Sequence, residues 1–290
     1  MTGLDRAPAR ATTTTKDHRR TDDLREYLFA AARSGDMPAC ADIQAMIPDV
    51  SNMTYQRKDQ TLLDYRETRH NIQTTFAYAL PSREVINRLA AAGPLLEVGA
   101  GKGFWSYMIE RAGGNIIATD NKAWFGGREV LTEWKDVTRL EGTTAIREHP
   151  ERDVLMVWPR LWRHVDGYSS RVNQLMEEER SSPEYGYMYT RDEMAPDGLK
   201  SEADLRALHE KFIGDYGLMG PYEDLARQLQ AMQPGRTLYY VGEHPMATSS
   251  PITADPLFFD WLEVAFDLQE THPVPNWPDV HDKLYVFRKK

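Results

Sequence analysis

Short apolar runs alternate with stretches of helical period along most of the chain after residue 92. Continuous apolar runs of about four to eight residues are typical of strands buried on both faces of a parallel sheet. The alternation predicts a doubly wound, mostly parallel α/β sheet, and the direct connection between its last two strands predicts one antiparallel edge. The seven predicted strands are Leu95–Val98, Ile116–Thr119, Trp134–Thr138, Asp153–Trp158, Thr237–Val241, Leu268–His272 and Leu284–Arg288.

Helical patterns fill the part of the chain that precedes the first strand. Asp22–Ala32 carries apolar side chains at helical spacing, and Arg66–Ala79 and Arg83–Ala92 follow as further helices. The pattern therefore predicts a helical N-terminal extension over residues 21–92. Residues 1–20 lack an apolar stretch and are expected to form a disordered leader instead of a secretory signal.

A long insertion follows the fourth strand. Between Trp158 and Thr237 lie 78 residues, whereas a single crossover helix would need ~25. Residues 202–214 and 221–232 have helical patterns within it. The insertion, at about 160–233, leaves the carboxyl end of a strand, where α/β sheets bind substrates. It is predicted to be a lid over the substrate; the alternatives are a peripheral helical layer or an oligomer contact, which would allow a homodimer.

Three glycines at alternate positions end the first strand. They are Gly99, Gly101 and Gly103, and a helix over Phe104–Ala112 follows at once. A strand, a glycine turn and a helix N-terminus together present backbone N–H groups to a ligand. The second strand ends on Asp120, whose carboxylate is placed to accept hydrogen bonds from a ribose diol.

The spacing of the glycines separates two classes of ligand. A dinucleotide site requires G-x-G-x-x-G, but Phe104 occupies the position of the third glycine, and its large ring argues against a pyrophosphate. A glycine turn without function would explain one or two glycines. The pattern Glu97-x-Gly99-x-Gly101-x-Gly103 instead resembles the first motif of class I S-adenosylmethionine-dependent methyltransferases.

This resemblance implies a Rossmann-like methyltransferase domain over residues 93–290 and S-adenosyl-L-methionine as the cofactor. It implies that the glycines lie against the methionine half of the cofactor and that the acid after the second strand holds the ribose. A residue from the helical extension would close over the cofactor. The expected cofactor-binding residues are Glu97, Gly99, Gly101, Gly103, Asp120, Tyr78 and Trp158.

The end of the fourth strand reads Val157-Trp158-Pro159-Arg160. It resembles only in part the Asn/Asp-Pro-Pro-Tyr box of methyltransferases that act on amino groups, because Pro159 alone matches. Amine methylation is therefore not inferred. Trp158 could stack on a planar acceptor or cover the sulfonium, since an indole face attracts cations. Arg160 could hold a carboxylate or phosphate of the acceptor. The alternative is a core aromatic residue beside a surface arginine.

A hydroxyl or ammonium acceptor must lose a proton, which requires a general base. The candidates are His244, His272 and His281, with Glu243 as a further one. Each histidine could instead be structural, and among them His244 and His281 are the predicted catalytic residues, together with Trp158 and Arg160. The adenine contact stays open between Asp136, Glu141 and Thr143. The tail that holds these histidines is similar to that of a largely uncharacterised group of microbial methyltransferase-like proteins.

Composition limits the classes of partner and ligand that the chain is expected to bind. The net charge is −9 and no cluster of Lys or Arg is visible, so nucleic acid is disfavoured. The short basic pair Lys289-Lys290 is explained by solvation at the terminus. A single Cys40 excludes an internal disulfide and a cysteine zinc cluster, and no other metal-ligand spacing is present. No apolar run approaches the ~20 residues of a membrane span.

The sequence thus predicts a cytoplasmic methyltransferase that moves a methyl group from S-adenosyl-L-methionine to a small-molecule acceptor, without a metal or a membrane. Two alternatives stay open. The acceptor could be nucleic acid or protein, which would require a basic groove formed by folding. The chain could also bind the cofactor as an interaction protein without catalysis.

Overall fold

The structure is a computed structural model that describes residues 14–47, 60–122, 133–159, 201, 203, 221–247, 254, 256–278 and 280–290. Its helices are α1 (Thr14–Ser34), α2 (Cys40–Met46), α3 (Gln60–Thr75), α4 (Arg83–Ala90), α5 (Phe104–Arg111), α6 (Gly142–Glu148), α7 (Pro221–Ala231) and α8 (Pro256–Ala265). Its strands are β1 (Leu95–Val98), β2 (Ile116–Asp120), β3 (Thr138–Arg139), β4 (Asp153–Val157), β5 (Thr237–Gly242), β6 (Phe266–Pro273) and β7 (Lys283–Lys289).

The strands form one seven-stranded sheet in the order β3-β2-β1-β4-β5-β7-β6. Neighbouring strands are parallel from β3 to β5, and β7 is antiparallel to both β5 and β6. The chain reverses its direction of travel across the sheet between β3 and β4, so the carboxyl ends of β1 and β4 flank the crevice where such sheets bind ligands. The predicted fold class, a mostly parallel Rossmann-like methyltransferase sheet, is confirmed.

Two hydrophobic layers cover the sheet, one on each face. Alternate strand residues such as Leu95 and Leu155 pack against the N-terminal helices and α5. Their neighbours Leu96 and Met156 pack against α6, α7 and α8. Because side chains alternate across a strand, the continuous apolar runs fill both layers at once. Within the described ranges, no helix has the length and apolar character that a bilayer span requires.

Several element boundaries differ from those expected. Helix α1 begins at Thr14, eight residues before the predicted start, and so includes residues assigned to the leader. Helix α3 ends at Thr75 instead of Ala79. The third strand is Thr138–Arg139 instead of Trp134–Thr138, because the Trp134 backbone N–H donates to Lys102 O at 2.9 Å and is not free to pair with β2.

The insertion is described only near its end. The predicted helix over 221–232 corresponds to α7, whereas nearly all of the predicted helix over 202–214 lies outside the described residues. The lid stays a prediction, as do the leader over residues 1–13, which lie outside the described residues, and the division of the chain at residue 92.

The two C-terminal lysines close the ends of two helices. The Nζ of Lys289 donates to the carbonyls of Leu229, at 2.9 Å, and Met232, at 2.8 Å, at the end of α7. The Nζ of Lys290 donates to Val264 O at 2.9 Å, at the end of α8. Cations stabilise helix C-termini because the last carbonyls lack partners within the helix. The expectation that solvation explains this pair is wrong for Lys289, which is buried.

Candidate functional site

The glycine turn joins β1 to α5 in a conformation that only glycine adopts readily. Gly99 and Gly101 have φ values of 73° and 55°, which disfavour residues with a side chain. Apart from its two chain neighbours, a Cβ placed on either would meet no atom of the described residues within 4 Å. The backbone of the turn thus faces open space, as a ligand that lies against it would require. Gly103 differs, since a Cβ there would lie 2.9 Å from Val137 Cγ2.

The Asp120 carboxylate lies directly against this turn. Its Oδ2 accepts a hydrogen bond from the Gly101 N–H at 2.9 Å, and its Oδ1 accepts one from the Lys122 N–H at 2.5 Å. These bonds fix the carboxylate at the carboxyl end of β2. A carboxylate oxygen can accept more than one hydrogen bond, so both oxygens keep the capacity to accept from a diol. The closeness of Asp120 to the turn is what the predicted ribose contact requires.

Glu97 lies beneath the turn and holds the start of α5. Its Oε2 accepts from the Ser106 backbone N–H at 3.1 Å and from the Ser106 hydroxyl at 2.5 Å. The N-cap residue Gly103 has no side chain to do this, so a carboxylate from the neighbouring strand satisfies an orphan N–H of the helix. Burial raises the pKa of Glu97 to about 7, against the lowering effect of the Ser106 hydrogen bonds. The structure shows Glu97 as a support of the turn.

Two indole groups near the glycine turn donate hydrogen bonds to backbone carbonyls at the end of α3 and just after it. Trp105 Nε1 donates to Ala79 O at 2.9 Å, and Trp134 Nε1 donates to Thr75 O at 2.7 Å. Trp105 is in the first turn of α5, directly after the glycine turn. Tyr78 therefore lies near the start of α5, and burial raises the pKa of its hydroxyl. Its contact with the cofactor stays a prediction.

Trp158 follows β4 and lies next to the turn. Val98, the last residue of β1, pairs with Met156 on β4, so the two strands end side by side, with the glycine turn one residue after Val98 and Trp158 two residues after Met156. The Trp158 ring stacks on that of Tyr78, with centroids 5.5 Å apart and planes 18° apart. Its φ is 49°, an unfavourable conformation for a bulky residue that persists only where surrounding contacts impose it.

Asp282 is one of these contacts, and the sequence analysis did not single it out. Trp158 Nε1 donates to Asp282 Oδ2 at 2.8 Å. The Asp282 backbone N–H in turn donates to Asn276 Oδ1 at 2.7 Å, and the Asn276 backbone N–H donates to Gln44 Oε1 at 2.7 Å. Asp282 is 1% exposed, and burial raises its pKa to about 7. The signal in the sequence was the loop Pro275–Asp282, which holds two prolines and several polar residues.

The two histidines predicted to be catalytic lie in different surroundings. His281 is exposed, and its backbone N–H donates to Oε1 of the buried Glu243 at 3.1 Å. The His244 ring packs against Phe259 and Tyr285, with centroids 5.4 and 5.1 Å apart, in the layer opposite to that of Trp158. Burial lowers the pKa of His244 to about 4. The structure brings the His281 segment, but not the His244 ring, to the side of Trp158.

The remaining candidates are dispersed. Arg160 lies outside the described residues. His272 is on the edge strand β6, where its Nε2 lies 2.9 Å from Glu270 Oε2. Glu141 accepts hydrogen bonds from the N–H groups of Thr143 and the next residue and so caps α6, which accounts for it without a ligand. No cluster of His, Cys, Asp and Glu suited to a metal is found in the described part of the chain.

Comparisons with known proteins find solved structures that are similar to this chain in fold. No protein-family model and no curated protein matches the chain. It is similar to the structure of a SAM-dependent methyltransferase from Aquifex aeolicus, with 12% identity and a TM-score of 0.29 over 69% of this chain and 84% of that one.

Two further structures give similar values. Mitomycin 7-O-methyltransferase has 14% identity and a TM-score of 0.32 over 95% of this chain and 69% of that one. The 1,6-didemethyltoxoflavin-N1-methyltransferase of Burkholderia thailandensis, with 1,6-didemethyltoxoflavin and S-adenosylhomocysteine bound, has 12% identity and a TM-score of 0.30 over 99% and 93%. All three of these proteins are methyltransferases.

Proposed function

We propose that this protein is a methyltransferase that uses S-adenosyl-L-methionine to methylate a small-molecule acceptor. The observation that carries the proposal is the glycine turn with Asp120 beside it. The turn leaves open space over Gly99 and Gly101, and the Asp120 carboxylate is fixed 2.9 Å from the Gly101 nitrogen.

The residues present fit the cofactor. Because its glycines have no side chains, the backbone of the turn can lie against the amino-acid half of the cofactor. The carboxylate oxygens of Asp120 can accept hydrogen bonds from the ribose diol. Glu97 supports both from below through its hydrogen bonds to Ser106. When bound, the cofactor would supply a methyl group on a positively charged sulfur, and the sulfur would leave as the acceptor atom bonds in line to the methyl carbon.

The chain contributes alignment, exclusion of water and removal of a proton. Tyr78 and Trp158 form an aromatic wall beside the turn, against which a planar acceptor can align. His281 is the base favoured over His244 in this proposal, because it directly precedes Asp282, which accepts from the Trp158 indole, and its backbone N–H donates to Glu243 Oε1. In this proposal the imidazole of His281 takes the acceptor's proton as the methyl group is transferred. Arg160 and the lid over 160–233 stay sequence-based parts of it.

Cofactor binding is the first test. Titration calorimetry of the full chain with S-adenosyl-L-methionine is expected to show one site, and Asp120→Ala is expected to weaken binding by roughly 30- to 150-fold, the loss of a hydrogen-bonded charge in a partly buried site. Asp267→Ala, on the exposed face of the edge strand β6, is the matched control and should bind normally. Unchanged affinity for Asp120→Ala would remove the ribose role.

Turnover is the second test. The protein is incubated with methyl-labelled cofactor and a small-molecule extract, and label in a product of low molecular mass supports the proposal. Binding without transfer would make the chain a cofactor-binding protein without catalysis. Transfer only to polynucleotide or protein would contradict the small-molecule acceptor.

A further inference from the structure

The Trp158 indole is held at its edge as well as on one face. Its Nε1 donates to Asp282 Oδ2 at 2.8 Å, while the Tyr78 ring covers a face at 5.5 Å. The second oxygen of Asp282 is buried and has no hydrogen-bond partner in the described part of the chain. A buried carboxylate with half of its acceptor capacity unused costs stability. Such a cost marks a residue whose role is not to stabilise the fold.

Two charged side chains act on Asp282 with opposite signs. Glu243, at the end of β5, disfavours the ionised form of Asp282, whereas Arg69 on α3 favours it. The hydroxyl of Tyr285 on β7 also interacts electrostatically with Asp282. Ionised, Asp282 therefore places negative potential at the edge of the indole, in surroundings where few water molecules screen it.

The backbone around Asp282 is built to keep the carboxylate in place. Asn276 accepts from the Asp282 N–H and donates to the Asp282 carbonyl, at 2.7 and 3.1 Å. Gln44 of α2 makes a second pair of bonds to the backbone of Asn276, at 2.7 and 3.0 Å. The carboxylate thus has a fixed position, and the backbone N–H of Trp158 is held as well, because it donates to Val241 O on β5 at 2.9 Å.

We infer that Asp282 is a positioning residue that acts through Trp158 and makes the indole face beside the glycine turn selective for a positively charged ligand. The inference rests on the proposed function, which names the ligand as the sulfonium of the cofactor. An indole face attracts cations, and an anion that accepts its N–H raises the electron density of the ring. Methyl transfer removes the charge from the sulfur, so the same face holds the neutral thioether product less tightly.

The test compares the affinities of S-adenosyl-L-methionine and S-adenosylhomocysteine for the full chain by titration calorimetry. The titrations are run at about pH 8.5, above the pKa of about 7 of Asp282, where its carboxylate is ionised. Asp282→Asn keeps an acceptor for the indole N–H but removes the charge. Its preference for the cation is expected to fall by about 2- to 30-fold, the range of cation–π attraction. Trp158→Phe keeps a ring but loses the N–H, so adding Asp282→Asn to it should change the preference no further.

If Asp282 had only a structural role, Asp282→Asn would weaken the binding of both ligands equally and leave the ratio of their affinities unchanged. That result would overturn the inference. Failure of the wild-type chain to bind either ligand would instead contradict the proposed function. A second readout needs no cofactor. In the ¹⁵N spectrum of the indole groups of the seven tryptophans, the signal that Trp158→Phe removes should shift in Asp282→Asn, and an unmoved signal would show that the contact is absent. Asp267→Asn is the control and should change neither readout.

Discussion

The buried Glu97 carboxylate beneath the glycine turn should make the stability of the protein depend on pH. Its pKa is about 7 in the folded chain, where burial disfavours the charge, against 4.5 for an unperturbed glutamate. At this position the folded state therefore binds more protons than the unfolded state between about pH 4.5 and 7, so the contribution of Glu97 to stability falls as the pH rises through that window. Above pH 7 both states are ionised at this position and the contribution is constant.

The size of this effect follows from the shift. One pKa unit corresponds to about 1.4 kcal/mol, so Glu97 should lower the free energy of unfolding by about 3 kcal/mol between pH 4.5 and 7.5. Glu97→Gln keeps an oxygen that can accept from Ser106 and cannot ionise. We expect its stability to fall less than that of the wild type over this range, so that the two unfolding curves diverge with rising pH.

Urea unfolding at pH 5, 6, 7 and 8 measures the difference between the two chains, and the subtraction removes titrations that they share, including that of Asp282. Glu110→Gln is the matched control, because Glu110 is an exposed carboxylate on α5, the helix whose start Glu97 supports. It should follow the wild-type pH profile. Parallel profiles for wild type and Glu97→Gln would refute the reasoning, since they would mean that Glu97 has the same pKa in both states.

Three other changes have expected outcomes. Lys289→Met removes the buried cation from the end of α7 and leaves carbonyls unsatisfied, so it should lower the free energy of unfolding by about 3 kcal/mol in a urea titration. Lys290→Met, at an exposed site, should lower it by under ~1 kcal/mol in the same titration. Gly103→Ala should cost about 2 kcal/mol more than Gly113→Ala, since both have positive φ but only the first has a carbon 2.9 Å from the new Cβ; equal losses would contradict the packing argument. His281→Gln should lower kcat by about 100-fold with little change in cofactor affinity, and an unchanged kcat would remove it as the base.

The sheet and the turn could be predicted because their signals are local. A buried strand, three alternating glycines and an acid at the end of the next strand require no knowledge of distant contacts. The Asp282–Trp158 hydrogen bond joins residues 124 positions apart, and no periodicity or spacing encodes such a contact. The same holds for Lys289, which looks solvated in a terminal sequence and is buried because β7 lies beside the end of α7. Charged residues of this kind find their partners only when the fold is assembled.

The helical extension and the sheet share one core, and this bears on the predicted boundary at residue 92. Phe76 from the extension packs on Phe104 of α5, with centroids 5.1 Å apart. Two indole N–H groups of the sheet domain donate to carbonyls of the extension, and Tyr78 supplies half of the aromatic wall. Cutting the chain at this boundary would expose that core and leave the wall incomplete, because apolar burial is the main term that stabilises it. The site is therefore a property of both parts together, and residues 93–290 alone would lack the ring that covers Trp158.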